Sequence, residues 1–60
     1  MAYKATATYE KTTLSFTVFA RNDAEALRLA ETEARLAFEE AGFGTGNWKK
    51  TRRLNVSRRT

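Results

Sequence analysis

Residues 3 to 9, YKATATY, put Tyr3, Ala5, Ala7 and Tyr9 on one side of an extended chain and Lys4, Thr6 and Thr8 on the other. Alternation of this kind marks a strand with one face buried and the other in water. From Thr12 it resumes, with Thr12, Leu14, Phe16, Val18 and Ala20 against Thr13, Ser15, Thr17, Phe19 and Arg21. If Glu10 and Lys11 form a two-residue turn, Tyr9 faces Thr12, Ala7 faces Leu14, Ala5 faces Phe16 and Tyr3 faces Val18. Every apolar residue then shares one face, whereas a slip of one residue would send the two apolar sets to opposite sides. That agreement predicts a hairpin of strands over 3–9 and 12–20. Glu-Lys is a poor pair for a type I′ turn, which favours Asn or Gly, so a longer loop stays open.

A helix follows over 23–41. Asn22 is placed to cap it, Glu25 sits three residues on in the capping-box position, and Asp23 and Glu25 fall in the first turn, where the helix dipole favours acids. Gly42 suits the left-handed position just past the end, with Phe43 folding back on the last turn. Leu27, Ala30, Ala34, Phe38 and Ala41 form one stripe at 100° per residue, and its alanines allow a close approach to the sheet. Leu29 and Leu36 lie off that stripe, seven residues apart among glutamates. They are either scattered exposed leucines, which are ordinary on surfaces, or a seam for a second copy or a partner protein. Residues 42–47, GFGTGN, lead from a helix into a strand and lack Gly-Lys-Ser/Thr, so they read as a cap and turn rather than a phosphate loop.

The last strand is expected over 48–57, with residues 58–60 a tail. Trp48, Leu54 and Val56 would face the core, and Lys50, Arg52 and Arg58 share that parity and must carry their charges past the core edge. The fold class is therefore α+β: a small β-β-α-β domain, a three-stranded mainly antiparallel sheet with one helix on one face. The third strand fits either antiparallel beside the first or parallel beside the second, and the commonness of antiparallel pairing favours order 2-1-3.

Sixty residues form one domain with a small core, and with neither Cys nor His there is no disulfide and no usual zinc ligand to brace it. A homodimer is a candidate stabiliser. No apolar run approaches a membrane span and the N-terminus lacks the pattern of a signal peptide, so no membrane partner and a cytoplasmic location are expected. Without His or Cys the commonest general base and best nucleophiles are missing, which argues against an enzyme, and no cofactor is implied.

Charge divides by element. Residues 22–41 carry six acids and two bases, the rest of the chain nine bases and one acid, within a net charge of +4. The sheet face away from the helix would carry Lys4, Thr6, Thr8, Thr13, Ser15, Thr17, Phe19, Lys49, Thr51, Arg53, Asn55, Ser57 and Arg59. Cations and hydroxyls without a carboxylate suit a phosphate backbone; they also suit an ordinary solvent face with a basic edge that discourages aggregation. The leading expectation is a non-enzymatic nucleic-acid-binding protein, for DNA or RNA, contacting phosphates through Lys4, Lys49, Lys50, Arg52, Arg53, Arg58 and Arg59. Phe19 is the single aromatic on that face, where RNA-recognition sheets use two or three. The alternative is a protein-interaction module that meets an acidic or nucleic-acid-handling protein, with Leu29, Leu36 and Phe19 as the contact or dimer residues. In compactness, basicity and lack of Cys and His the chain resembles the short accessory proteins that phages and mobile elements encode, and the alternative would make it an inhibitor of a host nucleic-acid-handling or defence complex.

Overall fold

The computed structural model describes residues 1–59. Strands β1 (Ala2–Tyr9) and β2 (Thr12–Phe19) are followed by helix α1 (Asp23–Glu40), a single helical turn α2 (Trp48–Thr51) and strand β3 (Arg53–Arg59). The sheet order is β2-β1-β3 and both pairings are antiparallel. The β1–β2 register joins Tyr9 to Thr12, Ala7 to Leu14, Ala5 to Phe16 and Tyr3 to Val18, as the alternation of the two segments requires. Glu10 and Lys11 both take positive φ, 52° and 63°, a conformation that side chains other than Gly and Asn adopt at a cost. The matched apolar faces therefore prevail over unsuitable turn residues.

Helix α1 is capped at both ends by its own sequence. The Asn22 side chain accepts from the Glu25 backbone N–H at 2.9 Å, and Glu25 reaches back to the Arg21 N–H at 2.9 Å. That backbone bond, and then the Arg21 side chain, hold the Glu25 carboxyl below its ordinary pKa. At the other end Gly42, φ 95°, donates to the Glu39 carbonyl, and Phe43 donates to that of Phe38 at 2.9 Å. These are the two bonds of a Schellman ending. The Phe43 ring stacks edge-on against Phe38, with centroids 5.2 Å apart.

The buried residues of α1 are Ala26, Ala30, Ala34 and Phe38. They form an i, i+4 row, which advances about 40° round the helix at each step. The sheet-facing direction thus rotates along the helix. Leu27, expected in the core, is offset from Ala26 at the end where it sits and is 45% exposed; Ala41, also expected there, is the exposed C-cap. Under the helix lie Tyr3, Ala5, Ala7, Tyr9 and Val18, with Phe16, Leu54 and Val56 partly covered. Tyr9, Phe38, Phe43 and Trp48 close one end of this thin core, and the Tyr9 hydroxyl donates to the Gly44 carbonyl.

The third strand departs from expectation at both ends. Its register with β1 runs from Thr8–Arg53 to Ala2–Arg59, and β1 turns away at Glu10. An extended segment over 48–52 would have almost no strand beside it, and its backbone polar groups would lack sheet partners. Those residues instead form the turn α2, in which Thr51 donates to the Asn47 carbonyl and Arg52 to that of Trp48. Arg58 and Arg59, expected in a tail, belong to β3; Thr60 lies outside the described residues.

Two outcomes check this account. Glu10→Asn with Lys11→Gly should stabilise the fold by about 1 kcal/mol, raising the melting temperature by roughly 4–8 °C for a domain of this size, without changing the circular dichroism spectrum. Glu25, whose folded pKa is lowered, contributes stability that is present above the unfolded carboxylate pKa and is lost as pH falls through the folded value. Acid unfolding of Glu25→Gln followed by circular dichroism should show a weaker dependence on pH below about 4.5 than the parent chain.

Candidate nucleic-acid interface

With α1 lying on one face, the other face of the sheet is open, and the two registers assemble it into rows. Across β2, β1 and β3 these read Phe19–Ala2–Arg59, Thr17–Lys4–Ser57, Ser15–Thr6–Asn55 and Thr13–Thr8–Arg53. The face therefore displays three cations, seven hydroxyl or amide side chains and one aromatic. No carboxylate stands on it. Among the described residues none of Lys4, Arg53 and Arg59 is in an ion pair; the three pairs present are Arg21–Glu25, Arg35–Glu39 and Arg52–Glu31.

The Arg59 guanidinium reaches over the small Ala2 to donate to the Thr17 Oγ1 at 3.4 Å. Because Lys4 lies between Thr17 and Ser57 in its row, Arg59 and Lys4 share one end of the face. Arg53 stands at the other end, six strand residues or roughly 20 Å along β3. At that end the Thr8 and Thr13 hydroxyls bond to each other at 3.0 Å. The cations thus bracket a floor of short polar side chains.

The remaining cations proposed for the interface are placed elsewhere. Lys49 and Lys50 are exposed on α2, at the end of the sheet near Arg53, and Thr51 leaves the open face with them. Arg52 precedes β3 and turns to the helix side, where its Nε donates to Glu31 at 2.8 Å and its Nη2 bonds the same oxygen. It ties β3 to α1 and its charge is compensated. Arg58 is on the helix-side parity of β3, opposite Tyr3, with its Nη1 3.8 Å from the Met1 sulfur. Strand parity sets Arg52 on the helix side and Arg53 on the open face but names no partner for either. Only the packing of α1 shows that Glu31 meets the first of them.

The residues proposed as a contact seam also separate. Phe19 is 74% exposed on the open face, while Leu36 and Leu29 are 53% and 37% exposed on the helix, across the thickness of the domain. Leu36 lines a groove between α1 and β2, together with Leu14 and Phe16. Strand parity marks these two residues as core, yet both are only half-buried.

Tyr3 is buried beside its cross-strand partner Arg58, and among the described residues no group meets full hydrogen-bond geometry with its hydroxyl. Burial first, and then the neighbouring Asp23 carboxylate, raise its pKa above the ordinary tyrosine value, while Arg58 works in the opposite direction. No helix among the described residues is long and apolar enough to cross a membrane. Comparison with protein-family models, with curated proteins and with solved structures returns no match.

A raised folded pKa for Tyr3 means that its stabilising effect is complete below the unfolded value, near 10, and is lost as pH rises through the folded one. In an alkaline titration followed by tyrosinate absorbance, Tyr3 should hold its proton beyond pH 10 and release it together with unfolding. Tyr3→Phe should remove that late ionisation.

Proposed function

We propose that the open sheet face binds nucleic acid through its phosphates, with little reading of base sequence. The observation that carries this is the carboxylate-free set of Lys4, Arg53 and Arg59 over a floor of Thr, Ser and Asn side chains. Lys and Arg displace the counterions condensed on a phosphate chain, and hydroxyl and amide groups donate hydrogen bonds to phosphate oxygens. The roughly 20 Å from Arg53 to Arg59 equals the rise of about six base-pair steps along the axis of a duplex. The acids of α1 point away from this face. The field of the domain therefore steers a polyanion toward the sheet and repels it from the helix.

Phe19 adds a single exposed ring at the corner of the face. One ring gives a stacking platform for a base that is out of a duplex, and such contacts contribute on the order of 1–3 kcal/mol each. Lys49 and Lys50 extend the positive region past Arg53.

The test is a fluorescence titration against labelled double-stranded DNA, single-stranded DNA and RNA over a range of salt. If Lys4, Arg53 and Arg59 each neutralise one phosphate of B-DNA, log K should fall with log salt at a slope of about −2.7, and each alanine substitution among them should reduce the slope by about 0.9. Arg52→Ala should lower the melting temperature and leave the slope unchanged, since that guanidinium is held by Glu31. Phe19→Ala should weaken single-strand binding more than duplex binding. Absence of binding at low salt would overturn the reading, and so would a loss that follows Arg52 rather than Arg53.

A further inference from the structure

The two edges of the sheet are built differently. Met1 and Ala20 exchange both backbone bonds, Ala20 N–H to the Met1 carbonyl at 3.0 Å and the Met1 amino group to the Ala20 carbonyl at 2.9 Å. In an antiparallel ladder bonded pairs alternate, so with the observed register Thr12, Leu14, Phe16 and Val18 bond inward to β1. The N–H and C=O groups of Thr13, Ser15, Thr17 and Phe19 therefore point outward along β2. No Lys, Arg, Asp, Glu, Pro or Gly occurs anywhere in the eight residues of β2. Exposed edges are normally blunted by charge, proline or a bulge, and a long uncharged one is a template for another strand. The opposite edge, β3, carries Arg53, Arg58 and Arg59 and is protected in that way.

Beside the bare edge, on its helix side, runs the groove between α1 and β2. It has a volume of about 410 Å³, is floored by Leu14 and Phe16, walled by Leu36 and Ala37, and rimmed by Glu33 and Glu40. Leu14 and Phe16 are only half-buried in the isolated domain. An open strand edge and an incompletely covered apolar strip thus lie side by side.

We infer that β2 is a self-pairing edge: two copies join through an antiparallel β2–β2 ladder about a twofold axis at Phe16, with Leu14, Phe16 and Leu36 of both copies filling the seam between the helices. The axis position follows from the ladder. Only a register centred on Phe16 bonds all four outward residues, pairing Thr13 with Phe19 and Ser15 with Thr17 of the second copy. The twofold axis runs perpendicular to the sheet, so both helices lie on one side and both open faces form one surface on the other. Helix α1 packs most against β3 and also meets β1 and β2, so the two helices would be at least three strand spacings apart, about 14 Å or more, wider than the 8–10 Å of helices in direct contact. The half-buried side chains of the groove face that gap.

The contact is modest in area. A seven-residue ladder about 23 Å long, across a sheet and helix layer about 20 Å thick, covers on the order of 1,000 Å² for the two copies together, the lower bound for a specific interface. Charge selects this pairing over its rivals. Two β3 edges would oppose their arginines, and a β2 edge against a β3 edge repeats head to tail without closing. Glu33 and Glu40 rim the groove of each copy with no cation among its lining residues, so added salt should strengthen association, whereas it weakens phosphate binding. The inference is independent of the nucleic-acid reading.

The test is sedimentation equilibrium of the whole chain, joined to amide hydrogen exchange at two protein concentrations. Expected are a mass twice the 6.8 kDa of one chain at high micromolar concentration, rising occupancy with salt, and protection of the Thr13, Ser15, Thr17 and Phe19 amides that is lost on dilution. Ser15→Pro removes an N–H that β1 does not use and should return the mass to that of one chain with the circular dichroism spectrum retained. If that variant fails to fold, the exchange pattern of the parent chain decides. A single-chain mass at every concentration would overturn the inference. So would a dimer in which those four amides exchange freely, or masses that grow without limit.

Discussion

The aromatic cluster of Tyr9, Phe38, Phe43 and Trp48 holds the fold at the point where three chain segments converge. Ring centroids of neighbouring members lie 5.2 to 6.4 Å apart. Tyr9 belongs to the end of β1, Phe38 and Phe43 to the two sides of the helix cap, and Trp48 to the turn that precedes β3. Elsewhere α1 meets the sheet through alanines, which allow close approach but individually bury little area, over Tyr3 and Val18 of the sheet. The large rings therefore supply the burial that the alanine row cannot. They fill the space between the end of α1, fixed by its Gly42 cap, and the start of β3, fixed by the length of β1.

That placement governs the register of β3, and the register composes the open face. Arg53 enters the ladder opposite Thr8, so odd-numbered residues of β3 point away from the helix and even-numbered ones toward it. One residue decides between the two fates of the adjacent arginines: Arg52 is drawn to Glu31 of α1 and Arg53 is left on a face without acids. This split neutralises the cation nearest the helix and leaves the solvent-facing ones free to act at a distance.

A single helix covers one face of a three-stranded sheet and neither of its edges. The chain meets these exposures with different chemistry. The open face is hydroxylated and cationic, the β3 edge is guarded by arginines, and the β2 edge carries no guard and adjoins an apolar groove. In a small domain without cysteine or histidine, an unguarded edge of this kind joins the question of what the protein does to the question of what keeps it folded.

Much of the local structure could be read from the residues because it is local. The hairpin register, the Asn22 and Glu25 cap and the Gly42–Phe43 ending each depend on neighbours within a few positions, whereas the order β2-β1-β3 was only favoured, over a parallel third strand, by the commonness of antiparallel pairing. Of the candidate interface, Lys4, Arg53 and Arg59 were assigned to the open face by strand parity alone. Parity misled for Lys49 and Thr51, because it presumes a strand and the ladder available from β1 ends at Thr8. It could not separate Arg52 from Arg53 in their partners, nor show that the covered direction of α1 rotates past Leu27. The alternation of apolar and polar residues determined the elements and their faces, since it acts over a few residues. The start of β3, the pairing of Arg52 with Glu31 and the bare groove beside β2 were decided only in the tertiary structure, where the length of one strand limits what another can pair with.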